Sequence, residues 1–128
     1  FKWREEFASG SAYEGRKDLG NTQPGDGVRF KGRGFVQITG RANYKQFSKY
    51  CGEDLTANPT ALATKYAADT ATWFWQTRKL NAYAVDDSLA SIKAITRRIN
   101  GGFNGLQDRV NRFADYWAIL KDNPNAFT

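Results

Sequence analysis

A chain of 128 residues with 41% apolar and 15% aromatic content is long enough for one domain with a real core and too apolar to be disordered. It contains no histidine, which excludes a histidine triad, a histidine zinc site and a histidine general base, and its single cysteine, Cys51, excludes an internal disulfide and suits a reducing compartment. The net charge of +6 fits a polyanionic partner, nucleic acid or an anionic cell wall, or equally a solvated face that keeps the chain soluble.

The chain opens on Phe1-Lys2-Trp3 with no methionine and no leader, and reads as a piece of a longer protein. Residues 1–8 fit the end of a helix, with Phe1, Trp3 and Phe7 as apolar contacts and Glu5 and Glu6 adjacent. Residues 9–34 read as a long loop: seven of the 12 glycines fall between Gly10 and Gly34, with turn signals at Pro24-Gly25 and Asp26-Gly27. Residues 35–39 (Phe-Val-Gln-Ile-Thr) fit a short strand or a helix entry. From Arg41 the patterning is helical. One helix is expected over Arg41–Cys51, stopped by Gly52. A second starts at Asn58-Pro59 and runs to about Arg78, ending in the Trp73-Phe74-Trp75 cluster. A third, about Asp87 to Asn100, aligns Leu89, Ile92, Ile95 and Ile99 and stops at Gly101-Gly102. The last, about Leu106 to Lys121, aligns Leu106, Val110, Phe113, Trp117 and Leu120 before Asn123-Pro124-Asn125. The class is mainly α, a single domain with little strand. No apolar run is long enough to span a bilayer.

Without histidine, acid–base chemistry falls on carboxylates. Those near the glycine-rich loop are Glu5, Glu6, Glu14, Asp18 and Asp26. Glu5 and Glu6 serve either as a pair for glycoside chemistry or as a solvated helix end. Glu14, beside Gly15-Arg16, reads as a loop ion pair. If residues 35–39 are extended, Gln37 and Thr39 share a face and, with Asn43, can fix water and sugar hydroxyls. Alternatively Thr39 caps the helix at Arg41 and Gln37 satisfies loop backbone.

Lys31-Gly32-Arg33-Gly34-Phe35-Val36-Gln37-Ile38-Thr39 followed by Asn43-Tyr44 resembles the signature of glycoside hydrolase family 19, the chitinases and related phage or prophage endolysins. Tyr13-Glu14-Gly15-Arg16, Asp18-Leu19-Gly20-Asn21-Thr22, Pro24-Gly25-Asp26-Gly27 and Gly40-Arg41 are similar to the endolysin branch. Asn58-Pro59, Trp73-Phe74-Trp75, Ile99-Asn100-Gly101-Gly102 and Arg109 extend the likeness over nearly the whole chain. The resemblance implies a lysozyme-like fold of helices around a cleft. It implies inverting hydrolysis of β-1,4-linked N-acetylglucosamine polymers, chitin or peptidoglycan glycan strands, with no metal and no cofactor. By position in the motifs, Glu6 matches the general base, with Glu5 the one-residue alternative. Thr39 matches the hydroxyl that holds the attacking water. Gln37, Asn43, Tyr44 and Asn100 match substrate contacts, and Arg109 an arginine that organises charge around the acid.

The His-Glu-x-Gly-Gly motif that supplies the general acid in this family is absent from the 128 residues. The chain is therefore expected to be a catalytic domain without its N-terminal part, impaired by itself, with exposed core that neighbouring chains would cover. Asn104 stands where some chitinases have a glutamate, which changes the expected pairing of Arg109. The implied protein is made in the cytoplasm, acts on cell wall, and needs no obligatory protein partner and no nucleic acid. Two rival readings are a non-catalytic glycan-binding module and a basic nucleic-acid-binding helical protein. The latter would use Phe30, Phe35 and Tyr44 within the acid-free stretch from Gly27 to Gly52.

Overall fold

Among the residues that the computed structural model describes, 4–123 and 125, the helices are α1 (Asp26–Arg29), α2 (Arg41–Cys51), α3 (Asp69–Thr77), α4 (Leu89–Asn100) and α5 (Leu106–Leu120). Short 3-10 turns lie at Ser11–Tyr13, Lys17–Leu19, Pro59–Leu62 and Leu80–Tyr83. Among these residues extended pairing is confined to two isolated bridges, Glu5 with Arg33 and Arg33 with Ile38. The mainly α class read from the sequence holds. The chain divides into two compact units, residues 1–77 and 78–128.

In the first unit α2 has the bounds its sequence signals demand. Gly52 takes the left-handed conformation (φ 79°) and returns its N–H to Ser48 O. The N-cap is Gly40 rather than Thr39, so the expected threonine cap is not formed. The buried face of α2, Tyr44 and Phe47, meets Phe30, Ile38, Leu55, Ala61 and Leu62 in one cluster. Phe30 packs edge-on to Tyr44, and Trp73 of α3 packs edge-on to Phe47 with ring centroids 5.5 Å apart. Trp73, of the aromatic triplet, packs against this core.

Two expectations fail here. The helix from Pro59 to Arg78 is broken into a 3-10 turn, a run of turns over 63–68, and α3. The Ala67 carbonyl accepts from Phe35 N–H (3.0 Å) and from the Thr70 hydroxyl (2.7 Å), so it is drawn out of a helical ladder. The Glu5-Glu6 segment is bridged backbone rather than a helix end, while Phe1 and Trp3 lie outside the described residues. The 9–34 loop also contains α1, one helical turn.

In the second unit Ser88 caps α4, its side chain accepting from Ser91 N–H, and Gly101 (φ 73°) ends it. Burial is sparse: α5 has no fully buried residue, and Leu89, Ile99, Phe103, Tyr116, Trp117 and Ile119 are all exposed. Leu89, Ile92, Val110, Phe113 and Trp117 line an apolar groove of about 390 Å³ between α4 and α5.

Candidate active site

A small three-stretch ribbon builds the site. Residues 4–6 run antiparallel to 32–34: Glu6 N–H donates to Gly32 O and Gly34 N–H to Arg4 O, both at 2.8 Å. Residues 32–34 pair in turn with 37–39 through Arg33 and Ile38, which exchange hydrogen bonds of 3.1 and 2.8 Å. Successive side chains of such a ribbon leave opposite faces. Glu5, Arg33 and Ile38 therefore share one face, and Glu6, Gly32, Gln37 and Thr39 share the other.

The Glu5 face is scaffold. Arg33, 5% exposed, donates to Glu5 Oε2 (2.8 Å), to Arg29 O (2.8 Å) and to the Tyr44 hydroxyl (2.9 Å). Lys31 Nζ takes the other Glu5 oxygen at 2.8 Å. Hydrogen bonds from Lys31 and then Arg33 hold the Glu5 carboxyl below its ordinary value. The Tyr44 hydroxyl donates to Lys31 O (2.7 Å), and burial pushes its phenol up to about 12. Tyr44 is fully buried, so the tyrosine expected to touch substrate instead supports the ribbon from beneath.

The Glu6 face is different in kind. Gly32 has no side chain, and a Cβ built there would stand 2.8 Å from Gln37 Oε1, 3.1 Å from Glu6 Oε2 and 3.3 Å from Thr39 Oγ1. Three side-chain oxygens thus converge over one glycine. The Tyr13 hydroxyl donates to Glu6 Oε1 (2.9 Å) and Gly32 N–H to Oε2 (3.0 Å). Thr39 spends its hydroxyl hydrogen on Gln37 O (3.0 Å), and Gln37 spends its amide nitrogen on Gly34 O (2.9 Å). Each of the three oxygens therefore presents an acceptor beside Gly32.

The pairing of Gln37 with Thr39 on one face was expected from an extended 35–39, but residues 34–37 form a turn and Ile38 is the bridged residue of the segment. Gln37 sits at φ 54°, a left-handed conformation that non-glycine residues adopt at a cost, commonly at functional sites. The backbone reading of Gln37 holds through its bond to Gly34 O. Asn43 is half-buried, and its amide donates back to Thr39 O (2.8 Å). Glu14 forms no ion pair with Arg16, which pairs with Asp18. Its carboxylate accepts the N–H groups of Gly25 (2.7 Å) and Gly27 (2.8 Å).

In the second unit Asn100 and Arg109 meet on one acceptor: the Asn104 carbonyl takes the Asn100 amide (2.6 Å) and Arg109 Nη1 (2.7 Å). The residue at 104 thus engages Arg109 through its backbone. Tyr13 and Gly32 are the site residues that pattern reading missed. A signal existed for Tyr13, an aromatic set in a polar loop where no helical or strand period calls for core.

Four of the six basic side chains of the stretch from Gly27 to Gly52 have partners within the chain. Arg29 donates to the carbonyls of Thr56 and Ala57, Lys31 and Arg33 pair with Glu5, and Arg41 pairs with Asp26 at 2.6 Å. Phe30 and Tyr44 are fully buried, so two of the three aromatics that a nucleic-acid surface would use are unavailable to it.

The sequence profile of glycoside hydrolase family 19, described as chitinase class I, matches residues 2–93. The chain belongs to glycoside hydrolase family 19. A glycosyl hydrolase family 19 domain-containing protein of Haemophilus influenzae is 35% identical over 113 residues, 88% of this chain and 54% of its own length. The acidic 27 kDa endochitinase of Solanum lycopersicum is 33% identical, covering 77% of this chain and 50% of its own length. An endochitinase of Arabidopsis thaliana is 34% identical over 97% of this chain and 44% of its own. The chain spans about half the length of these family 19 relatives. Its Glu6 face lies inside the region matched to the family, whereas Asn100 and Arg109 lie beyond it.

Proposed function

We propose that this family 19 chain carries the water-activating half of an inverting glycoside hydrolase acting on β-1,4-linked N-acetylglucosamine polymers. The observation that carries the reading is the convergence of Glu6, Thr39 and Gln37 oxygens over Gly32. A water held by acceptors alone must point its hydrogens at the protein, which turns a lone pair outward toward an approaching sugar. Glu6, as general base, removes one proton as that water attacks the anomeric carbon. Thr39 Oγ1 and Gln37 Oε1 are acceptors for the other. Asn43 and Asn100 are proposed as substrate contacts, and Arg109 as an arginine that organises charge around the acid, on the strength of their match to the family's positions.

Inversion needs a second carboxylic acid to protonate the leaving oxygen. The family's motif for that acid is not among these 128 residues. The reading therefore includes a low rate for this chain by itself and a higher one for a protein that also contains the motif. Chitin-type glycans are the favoured substrate because the two plant relatives above are named endochitinases. Peptidoglycan strands, as for an endolysin, are the second arm of the test, motivated by the net charge of +6.

The experiment is hydrolysis of chitin oligosaccharides and of peptidoglycan glycan strands by a protein that includes the motif, with the product anomer read by proton NMR. Glu6→Gln should lower the rate by about 10²–10⁴-fold while binding persists. Wild-type turnover surviving in Glu6→Gln, or retention of configuration, would remove Glu6 from the role of base. Binding without cleavage in the wild-type protein would favour the glycan-binding module instead.

A further inference from the structure

The glycine-rich loop is held far more tightly than a solvent-facing connector requires, and its ties converge on one residue. Gly10 and Gly27 interlock: a Cβ on Gly10 would stand 2.5 Å from Gly27 O, and one on Gly27 would stand 2.6 Å from Glu14 N. The Glu14 carboxylate clasps the N–H groups of Gly25 and Gly27. Asn21, fully buried, donates to Tyr13 O (2.9 Å) and accepts from Arg41 N–H (2.9 Å), so it fastens the tyrosine's own backbone to the start of α2. The 3-10 turn Ser11–Tyr13 closes with Tyr13 N–H on Gly10 O (3.0 Å). From this frame the Tyr13 hydroxyl reaches Glu6 Oε1 at 2.9 Å.

We propose that Tyr13 is a positioning residue for the Glu6 base, and that the loop is built to present its hydroxyl. The proposal rests on the hydrolase reading above and adds to it the group that fixes the carboxylate. Gly32 N–H already holds Oε2 from the ribbon. A donor on Oε1 from a separate element stops rotation about the terminal torsion, which is otherwise broad in glutamate. The plane of the carboxylate is then set, and with it the lone pair that faces the gap over Gly32. The contact is reciprocal, since the hydrogen bond to Glu6 raises the Tyr13 phenol above its ordinary value. A hydrogen bond to a charged acceptor is strong enough for its loss to be felt at the level of about tenfold or more. Because the hydroxyl acts on the base, that loss belongs in kcat rather than KM.

The test uses Tyr13→Phe, which keeps the ring and removes the donor, beside Glu6→Gln. In the 128-residue chain, amide proton NMR of Tyr13→Phe should show Gly32 N–H displaced while Gly25 and Gly27 N–H stay in place, which controls for the loop's fold. The Tyr13 phenol, followed by ultraviolet titration of wild type against Tyr13→Phe, should ionise at lower pH once Glu6→Gln removes the carboxylate. In the motif-containing protein, Tyr13→Phe should lower kcat about tenfold with KM unchanged. An unmoved Gly32 amide together with an unmoved phenol would overturn the proposal, as would an unchanged kcat or an equal rise in KM. Wild-type protein that cleaves no glycan, with both spectroscopic responses present, would count against the hydrolase reading and for the Tyr13–Glu6 contact.

Discussion

Glu5 and Glu6 are the same residue type, one position apart, with different partners. The ribbon points Glu5 toward Lys31 and Arg33, and Glu6 toward Gln37 and Thr39. Because the folded-state acidity of Glu5 is enhanced, its ionised form stabilises the fold above the ordinary glutamate range, and that contribution fades as pH falls through the lower folded value. Glu5→Gln should therefore lower stability by about 1 kcal/mol at pH 7, and the difference from wild type should shrink below about pH 4. Urea denaturation at both pH values checks this. Gly32 makes the converse prediction. Its φ is not left-handed, so alanine costs no backbone strain there, but its methyl enters the space where the three oxygens converge. Gly32→Ala should keep the unfolding free energy within about 1 kcal/mol of wild type and, in the motif-containing protein, abolish most hydrolysis. Wild-type activity in Gly32→Ala would show that the gap is not where water is held.

At the level of elements, the helix ends that carry caps were legible and the tertiary breaks were not. α2 runs from Arg41 to Cys51 as read, because Gly52 is a local stop. α4 ends at Asn100 before Gly101 for the same reason, and α5 falls within a residue of its expected bounds. At the break between Pro59 and α3 the Ala67 carbonyl accepts from both Phe35 and Thr70, and a partner 32 residues away leaves no trace in local spacing. α1 was hidden because Asp-Gly reads as a turn. Glu6, Gln37 and Thr39, singled out through motif order, come together over Gly32, while the approach of Tyr13 to Glu6 depends on geometry that only the folded ribbon creates. The join between α1 and α2 is itself testable. Asp26 is 1% exposed, and Arg41 meets it with Nε and Nη2 at 2.9 and 2.6 Å. Asp26→Asn leaves that guanidinium without its counter-charge and should cost about 3 kcal/mol, read as a fall in the urea midpoint. An unchanged midpoint would show that solvent replaces the pair.

Across the whole molecule, burial is uneven. Phe30, Ile38, Tyr44, Phe47, Leu55, Leu62 and Ala67 are buried in residues 1–77, whereas in residues 78–123 Leu80 is the buried apolar side chain among those described. Local stability follows buried apolar contact, so amides of α4 and α5 should exchange with solvent faster than those of α2. Hydrogen exchange with mass spectrometric readout checks this, and equal protection in the two units would refute it. The loop from Ser9 to Arg29 presents a third regime. Its fully buried members are Gly10, Asn21, Asp26 and Gly27, with no apolar side chain among them. Apolar burial weakens on cooling, but the hydrogen bonds that frame Tyr13 owe it little. Chilling the protein should slacken its oily centre before it disturbs the hydroxyl at Glu6, whereas strong brine, which screens charge, should do the reverse.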